Sequence, residues 1–146
     1  MKNQPHKTAI TRKSPTAPSV FLKENGYLKG KKLDYGCGKS VDAEIYEMDK
    51  FDPHYHPDVN LNDNQYDTIL CTYVLNVIDD PEVEKEVLNK IRKLLKPDGK
   101  AYLSVRRDIK TEGYTSKGTF QKNVELKLPK LIDKKGSFCI YELSKD

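Results

Sequence analysis

The sequence predicts an α/β protein with a mostly parallel sheet, reduced in helix content and closed by a C-terminal antiparallel strand pair. Three observations carry this expectation. Runs of β-branched, aromatic and apolar residues alternate with helical patterning along a chain of 146 residues, the order that packs helices against a parallel sheet. The last two apolar runs are joined by too few residues for a crossover helix, so they pair antiparallel. Glycines, carboxylates and arginines recur where the runs end, and a parallel sheet receives its ligand beyond the carboxyl ends of its strands.

Residues 1–18, with prolines at 5, 15 and 18 among Ser, Thr and Lys, read as a basic N-terminal arm, and residues 19–146 as one domain. Ser19 to Asn25 forms a short helix with Ser19 as its cap, ended by Gly26 and Gly30. Lys31 to Tyr35 is the first strand. Val41 to Met48 leaves room for about two helical turns, and Lys50 to Asp52 is a second strand ended by Pro53. Residues 53–64 form a polar loop with a brief strand at Asp58 to Leu61. Tyr66 to Val74 is nearly all apolar, aromatic or β-branched, as in a strand covered on both faces.

Asp80-Pro81-Glu82-Val83-Glu84 opens the clearest helix. Its first turn is acidic, Pro81 suits the first helical position, and Val83, Val87, Ile91 and Leu94/Leu95 repeat at helical spacing. Pro97-Asp98-Gly99 stops it, and Lys100 to Val105 is the next strand. Residues 108–118 read as a loop. Phe120 to Leu128 and Ser137 to Leu143 are the antiparallel pair, joined by residues 129–136. No internal repeat is evident.

Composition excludes several classes. No run reaches the ~20 apolar residues of a membrane span, and the leading MKNQPHKTAITRK has no signal-peptide core. Cys37, Cys71 and Cys139 are an odd, scattered set without CxxC spacing, which fits reduced thiols in the cytoplasm. The formal charge is +4. Residues 1–32 hold Lys2, Lys7, Arg12, Lys13, Lys23, Lys29, Lys31 and Lys32 against Glu24 alone. That segment either approaches an anionic partner such as nucleic acid or is a solvated arm.

The glycine loop Leu33-Asp34-Tyr35-Gly36-Cys37-Gly38-Lys39-Ser40 admits three chemistries. A phosphate-cradling P-loop needs a glycine where Leu33 stands, and Asp34 would oppose its phosphates. A dinucleotide fingerprint needs a third glycine where Val41 stands. A sulfonium amino acid ligand brings an amine instead of phosphates, so Asp34 becomes an asset, while Gly36 and Gly38 let the backbone approach closely. Asp52, sixteen positions after Gly36, is placed to accept from ribose hydroxyls.

LDYGCGKS, the FDP of 51–53, YDTIL of 66–70 with TYVLNVIDDP after it, and LLKPDGKAYLSV resemble, in order, the motifs of class I S-adenosylmethionine-dependent methyltransferases. The resemblance covers about residues 31–106 and implies a Rossmann-like domain with S-adenosylmethionine as cofactor. It implies cofactor contacts from Asp34, Gly36, Cys37, Gly38, Asp52, Cys71 and Tyr73. Ser40 stands where a third glycine is frequent, the first crossover helix is short, and the helix after the fifth strand is missing.

His6-Lys7-Thr8-Ala9-Ile10, Arg12-Lys13-Ser14-Pro15, Ala17-Pro18, Val105-Arg106-Arg107-Asp108 and Gly118-Thr119-Phe120-Gln121 resemble methyltransferases associated with DNA phosphorothioation. That likeness implies a role in DNA modification. The acceptor is then nucleic acid or a small molecule, with a partner protein as a further possibility. A cofactor-binding module without catalysis would keep the same fold.

Methyl transfer from a sulfonium asks the protein mainly for orientation and desolvation, so no catalytic residue is fixed by sequence. The candidates are Tyr73, Asn76 and Arg106. Tyr73 faces the acceptor or packs, and Asn76 faces it or caps a turn. Arg106 or Arg107 holds an anionic acceptor or makes a surface salt bridge. Lys7 and Arg12 fold over the cofactor or stay in the arm. Asp52-Pro53-His54-Tyr55 is misplaced for an amino-methylating DPPY motif, no prolyl-cysteine marks a cytosine nucleophile, and His54 and His56 lack a third metal ligand.

Overall fold

Three parallel strands set the architecture: β1 (Lys32–Tyr35), β3 (Tyr66–Thr72) and β4 (Leu95–Arg106). The structure is a computed structural model and describes residues 13–146, so Lys2, Lys7 and Arg12 of the basic arm lie outside the described residues. On one side of β1 lies β2 (Asp49–Phe51), also parallel; on the far side of β4 lies β8 (Phe138–Ser144), antiparallel, and then β7 (Lys130–Lys134). The strand order is β2-β1-β3-β4-β8-β7. The mostly parallel sheet with a terminal antiparallel pair is as the sequence predicts.

Alternation along the strands divides the core. Leu33, Ile69, Cys71, Ala101, Leu103 and Leu143 pack toward Ile91 and Leu94 of α3 (Pro81–Leu94). Leu70, Tyr102 and Ile140, one residue out of phase, pack toward Leu22 of α1 (Ala17–Glu24) and Ala43 of α2 (Asp42–Ile45). Successive side chains of a strand point to opposite faces, so α3 covers one face and α1 with α2 the other. Asp80 caps α3 by accepting from the Glu82 N–H at 2.9 Å, with Pro81 at the first position. No helix of the described residues is long and apolar enough to cross a membrane.

Several elements differ from the sequence reading. Helix α1 starts two residues earlier, because Thr16 caps it in place of Ser19 and Pro18 fits its first turn. Helix α2 is a single turn, stopped where Glu47 adopts φ 55°. Strand β2 ends at Phe51, so Asp52 stands just beyond it, in an antiparallel bridge with His56, and Asp58 to Leu61 is not a strand. Strand β3 stops at Thr72 because Tyr73 turns to φ 61°.

Strand β4 begins at Leu95, pairs with Tyr66, bulges over 96–99 and resumes at Lys100 against Thr68. Gly99 packs so close there that a Cβ would sit 2.9 Å from the Tyr66 carbonyl oxygen. The expected loop at 108–118 contains β5 (Gly113–Tyr114), which pairs with β6 (Phe120–Gln121) in a separate hairpin. The partner of β8 is therefore Lys130–Lys134, within the expected connection, and not Phe120–Leu128. Residues after β6 are drawn off the hairpin by side chains: Arg107 Nη1 donates to the Val124 carbonyl at 2.8 Å, and Tyr141 Oη accepts from the Leu126 N–H at 3.2 Å.

Candidate active site

Beyond β1 the chain turns at Gly36 (φ 78°) and Gly38 (φ 54°), conformations that glycine adopts at little cost. A Cβ at Gly36 would lie 2.5 Å from Val74 Cγ2, so the loop is pressed against the exit of β3. The Phe51 carbonyl accepts from the N–H groups of Gly36 and Cys37 at 2.7 and 3.1 Å. Asp52 continues the attachment: Oδ2 accepts from the Gly38 N–H at 2.9 Å, and Oδ1 from those of His54 and Tyr55 at 2.9 and 3.1 Å. An ionised carboxylate offers about four acceptor positions, so Asp52 keeps capacity for a further donor. The Ser40 hydroxyl accepts from the Asp42 N–H at 3.1 Å, just ahead of α2.

Carboxylates gather beneath this loop. Asp34 is 2% exposed, and its Oδ2 has no hydrogen-bond partner. Burial first, then the charges of Asp42, Glu44 and Asp52, raise its pKa well above the usual carboxylate value. Asp42 is also buried, and both its oxygens bind Thr16, through the N–H at 2.8 Å and the hydroxyl at 2.7 Å. That clasp joins the start of α1 to the start of α2. Cys37 is buried in the loop with its thiol pushed up to about 12 by burial and by Asp34.

The rim on the β3–β4 side has a different character. Tyr73, half-buried, donates its N–H to the Ser104 carbonyl at 2.8 Å. Asn76, in the single 3-10 turn Leu75–Val77, is 1% exposed. Its Oδ1 accepts from the Arg106 N–H at 2.8 Å, its Nδ2 donates to the Lys122 carbonyl at 2.9 Å, and its own carbonyl accepts from the Lys122 N–H at 2.8 Å. Asn76 thus ties the exit of β3 to the end of β4 and to the β5–β6 hairpin. Arg106 forks onto Asp108 at 2.8 and 3.0 Å. Arg107 is held by Asp133, Glu125 and Tyr141. The Tyr114 hydroxyl reaches Asp79 and fastens the hairpin near the start of α3.

Asp34, Gly36, Cys37, Gly38 and Asp52 are therefore brought together at the ends of β1 and β2. Tyr73 precedes Val74, which packs on Gly36, and the Tyr73 side chain packs on the cluster that holds Leu70 and Tyr102. Cys71 is fully buried in the core on the α3 side. The Thr16–Asp42 clasp and the Val74 contact were missed from sequence. Thr16-Ala17-Pro18 carries a capping signal, but Ser19 offers a competing one, and nothing local announces a partner 26 positions away. Among the described residues no group of three or more His, Cys, Asp or Glu could hold a metal ion.

The fold has known counterparts. The 1,6-didemethyltoxoflavin-N1-methyltransferase of Burkholderia thailandensis, solved with 1,6-didemethyltoxoflavin and S-adenosylhomocysteine bound, superposes with a TM-score of 0.62 at 16% identity, covering 86% of this chain and 76% of that one. A protein of Sulfolobus solfataricus described as a type 11 methyltransferase gives 0.55 at 19% identity, with 90% and 93% covered. No curated protein matches the chain in sequence. The family described as Methyltransferase domain matches residues 16–123, a span from the Thr16 clasp through the glycine loop to the hairpin. The chain belongs to that methyltransferase family.

Proposed function

We propose that this protein transfers a methyl group from S-adenosylmethionine to an acceptor that approaches over the ends of β3 and β4. The observation that carries the cofactor is Asp34, a buried carboxyl with an unpartnered oxygen beneath a loop of two positive-φ glycines. A buried carboxylate is stable only when protonated or met by a cation, and the methionyl amine supplies one. Phosphates would instead meet Asp34, Asp42, Glu44 and Asp52. The residues present fit the sulfonium ligand and oppose a dinucleotide.

In this reading Gly36, Cys37 and Gly38 present backbone to the methionyl part, and Asp52 takes a ribose hydroxyl with its remaining acceptor capacity. Cys71 supports the site from the α3-side core. S-adenosylmethionine, when bound, supplies the electrophilic methyl. Tyr73 borders the acceptor and excludes water. Asn76 and Arg106 act as positioning residues, because their polar ends are already engaged by Lys122 and Asp108. No general base is required when the acceptor is already a nucleophile.

The acceptor is a small molecule or nucleic acid. The Burkholderia enzyme, which shares the fold, is named for a small-molecule acceptor, and this favours the first. For the second, segments that resemble the phosphorothioation-associated family lie near these strand ends: Arg106 ends β4 with Arg107 and Asp108 just after it, and Gly118 to Gln121 lead into and form β6. Free Cys37, Cys71 and Cys139 fit a cytoplasmic setting. The engaged state of Asn76 and Arg106 favours one rival, a cofactor-binding module or subunit that needs a partner protein for catalysis.

Calorimetric titration with S-adenosylmethionine and S-adenosylhomocysteine, beside NAD and ATP, tests the cofactor. Saturable binding of the sulfur ligands, weakened at least about tenfold, roughly 1.4 kcal/mol, in Asp52→Ala, is the expected result. Binding of NAD or ATP alone would overturn it. A labelled-methyl screen over DNA, RNA and metabolites then separates enzyme from binding module.

A further inference from the structure

The register of the sheet gathers lysines at the end opposite the glycine loop. Lys32, Thr68, Lys100 and Ser144 stand opposite one another across β1, β3, β4 and β8. Strands in a sheet are about 4.8 Å apart, so this row spans roughly 14 Å. Lys29 and Lys31 precede it on the entry to β1, Lys96 lies in the bulge of β4, and Lys145 follows β8.

Apart from Lys96, these lysines form no ion pair among the described residues, and four of them have side-chain contacts that place them. Lys32 Nζ donates to the Gly30 carbonyl at 3.2 Å, Lys100 Nζ to the Ser144 hydroxyl at 2.8 Å, and Lys145 Nζ to the Arg92 carbonyl at 2.8 Å. Lys31 lies over the Tyr66 ring at 5.4 Å. Among the described residues the ion pair at this end is Lys96–Asp67. The others join Lys50 to Glu44, Arg106 to Asp108, Arg107 to Glu125 and Asp133, Lys122 to Glu84, and Lys130 to Glu125 and Asp133. Asp98 and Asp146 neighbour Lys96, Lys100 and Lys145 in sequence, and Asp49, in register with Leu33, accepts from the Tyr66 hydroxyl at 2.6 Å; none of the three forms an ion pair with a described residue.

We propose that this lysine row is a docking surface for the phosphate backbone of nucleic acid, at the end of the sheet remote from the methyl-transfer site. A protein partner needs an apolar core to its interface, and among the described residues the exposed large apolar side chains, Ile45, Val83 and Tyr114, lie on α2, α3 and β5 and not in these segments. Nucleic-acid interfaces are polar and positive, and this end is polar with six lysines against Asp49, Asp67, Asp98 and Asp146. Binding at this end tethers the chain to a polyanion and leaves the glycine loop and the rim facing outward. The proposal is independent of the acceptor's identity.

The test is fluorescence anisotropy of the full chain with a labelled duplex of about 20 base pairs, between about 50 and 200 mM salt. The variant Lys31→Gln/Lys32→Gln/Lys100→Gln is compared with Lys110→Gln/Lys117→Gln/Lys135→Gln, which removes equal charge from the other end. The expected result is binding near micromolar at the lowest salt, weakened tenfold or more only in the first variant. The slope of log affinity against log salt should fall by about 2 to 3 in that variant, close to 0.9 for each phosphate no longer neutralised. No wild-type binding below about 100 µM, the upper range of non-specific affinity, would overturn the proposal. So would equal losses in the two variants, or tighter binding of polyglutamate of matched charge, which would point to an acidic protein.

Discussion

Gly36 stands at φ 78° with Val74 Cγ2 in the space that a Cβ would fill. Two separate penalties meet there, backbone strain and overlap. Gly36→Ala is expected to destabilise the fold by about 1–3 kcal/mol, read as a lower urea midpoint. Adding Val74→Ala should recover the overlap part and leave the strain. If Gly36→Ala alone matches wild type, the loop is not pressed against the exit of β3. The two glycines were legible in the sequence because their spacing and flanking Asp34 matched a known loop chemistry. Val74 was not, since it reads as one more apolar strand residue until Tyr73 turns the chain. Asp52 was legible as an acid ending a strand, but that it stands one residue beyond β2 and already accepts from three backbone N–H groups was invisible without the 52–56 turn.

Among the elements, the end of the β5–β6 hairpin is tied to the sheet through one buried amide, beside its Tyr114–Asp79 contact. Asn76→Ala would leave the Arg106 N–H and the Lys122 carbonyl without their partner in a site 1% exposed, a loss of about 2–3 kcal/mol. Hydrogen exchange should accelerate first at Phe120 to Lys122 and at Arg106, ahead of β1 and β3; uniform acceleration would show that the knot is not local. Sequence reading found β3, α3 and β8 because their patterns are long and consistent with burial on one or two faces. It missed the hairpin because β5 and β6 are two residues each, too short for any periodicity. It placed the partner of β8 at Phe120–Leu128, where alternate apolar residues do occur. There Val124 is buried by Arg107 and Tyr141 holding its chain segment, and not by strand pairing.

For the molecule as a whole, Asp34 makes the response to pH a test of the site. Its carboxyl is fully enclosed, and burial, reinforced by Asp42, Glu44 and Asp52, raises its folded pKa well above 3.8. In the unfolded chain it ionises at the ordinary value. The unfolded state therefore releases this proton first as pH rises, and stability follows the difference in bound protons. The contribution from Asp34 is fully present below about pH 4 and is lost as pH rises toward the folded pKa. Asp34→Asn keeps the shape without the ionisation, so its stability relative to wild type should grow with pH above about 4 and level off only where the folded carboxyl ionises. Urea midpoints of both proteins from acid to mildly basic pH measure this directly. S-adenosylhomocysteine carries the same amine as the cofactor, and when bound it should narrow the gap by giving the ionised carboxylate a cation. A gap that is independent of pH would mean that Asp34 is solvated. A pH-dependent gap untouched by the ligand would keep the buried acid but remove it from the cofactor's reach, and would shift the recognition of the amine onto the backbone of Gly36 to Gly38.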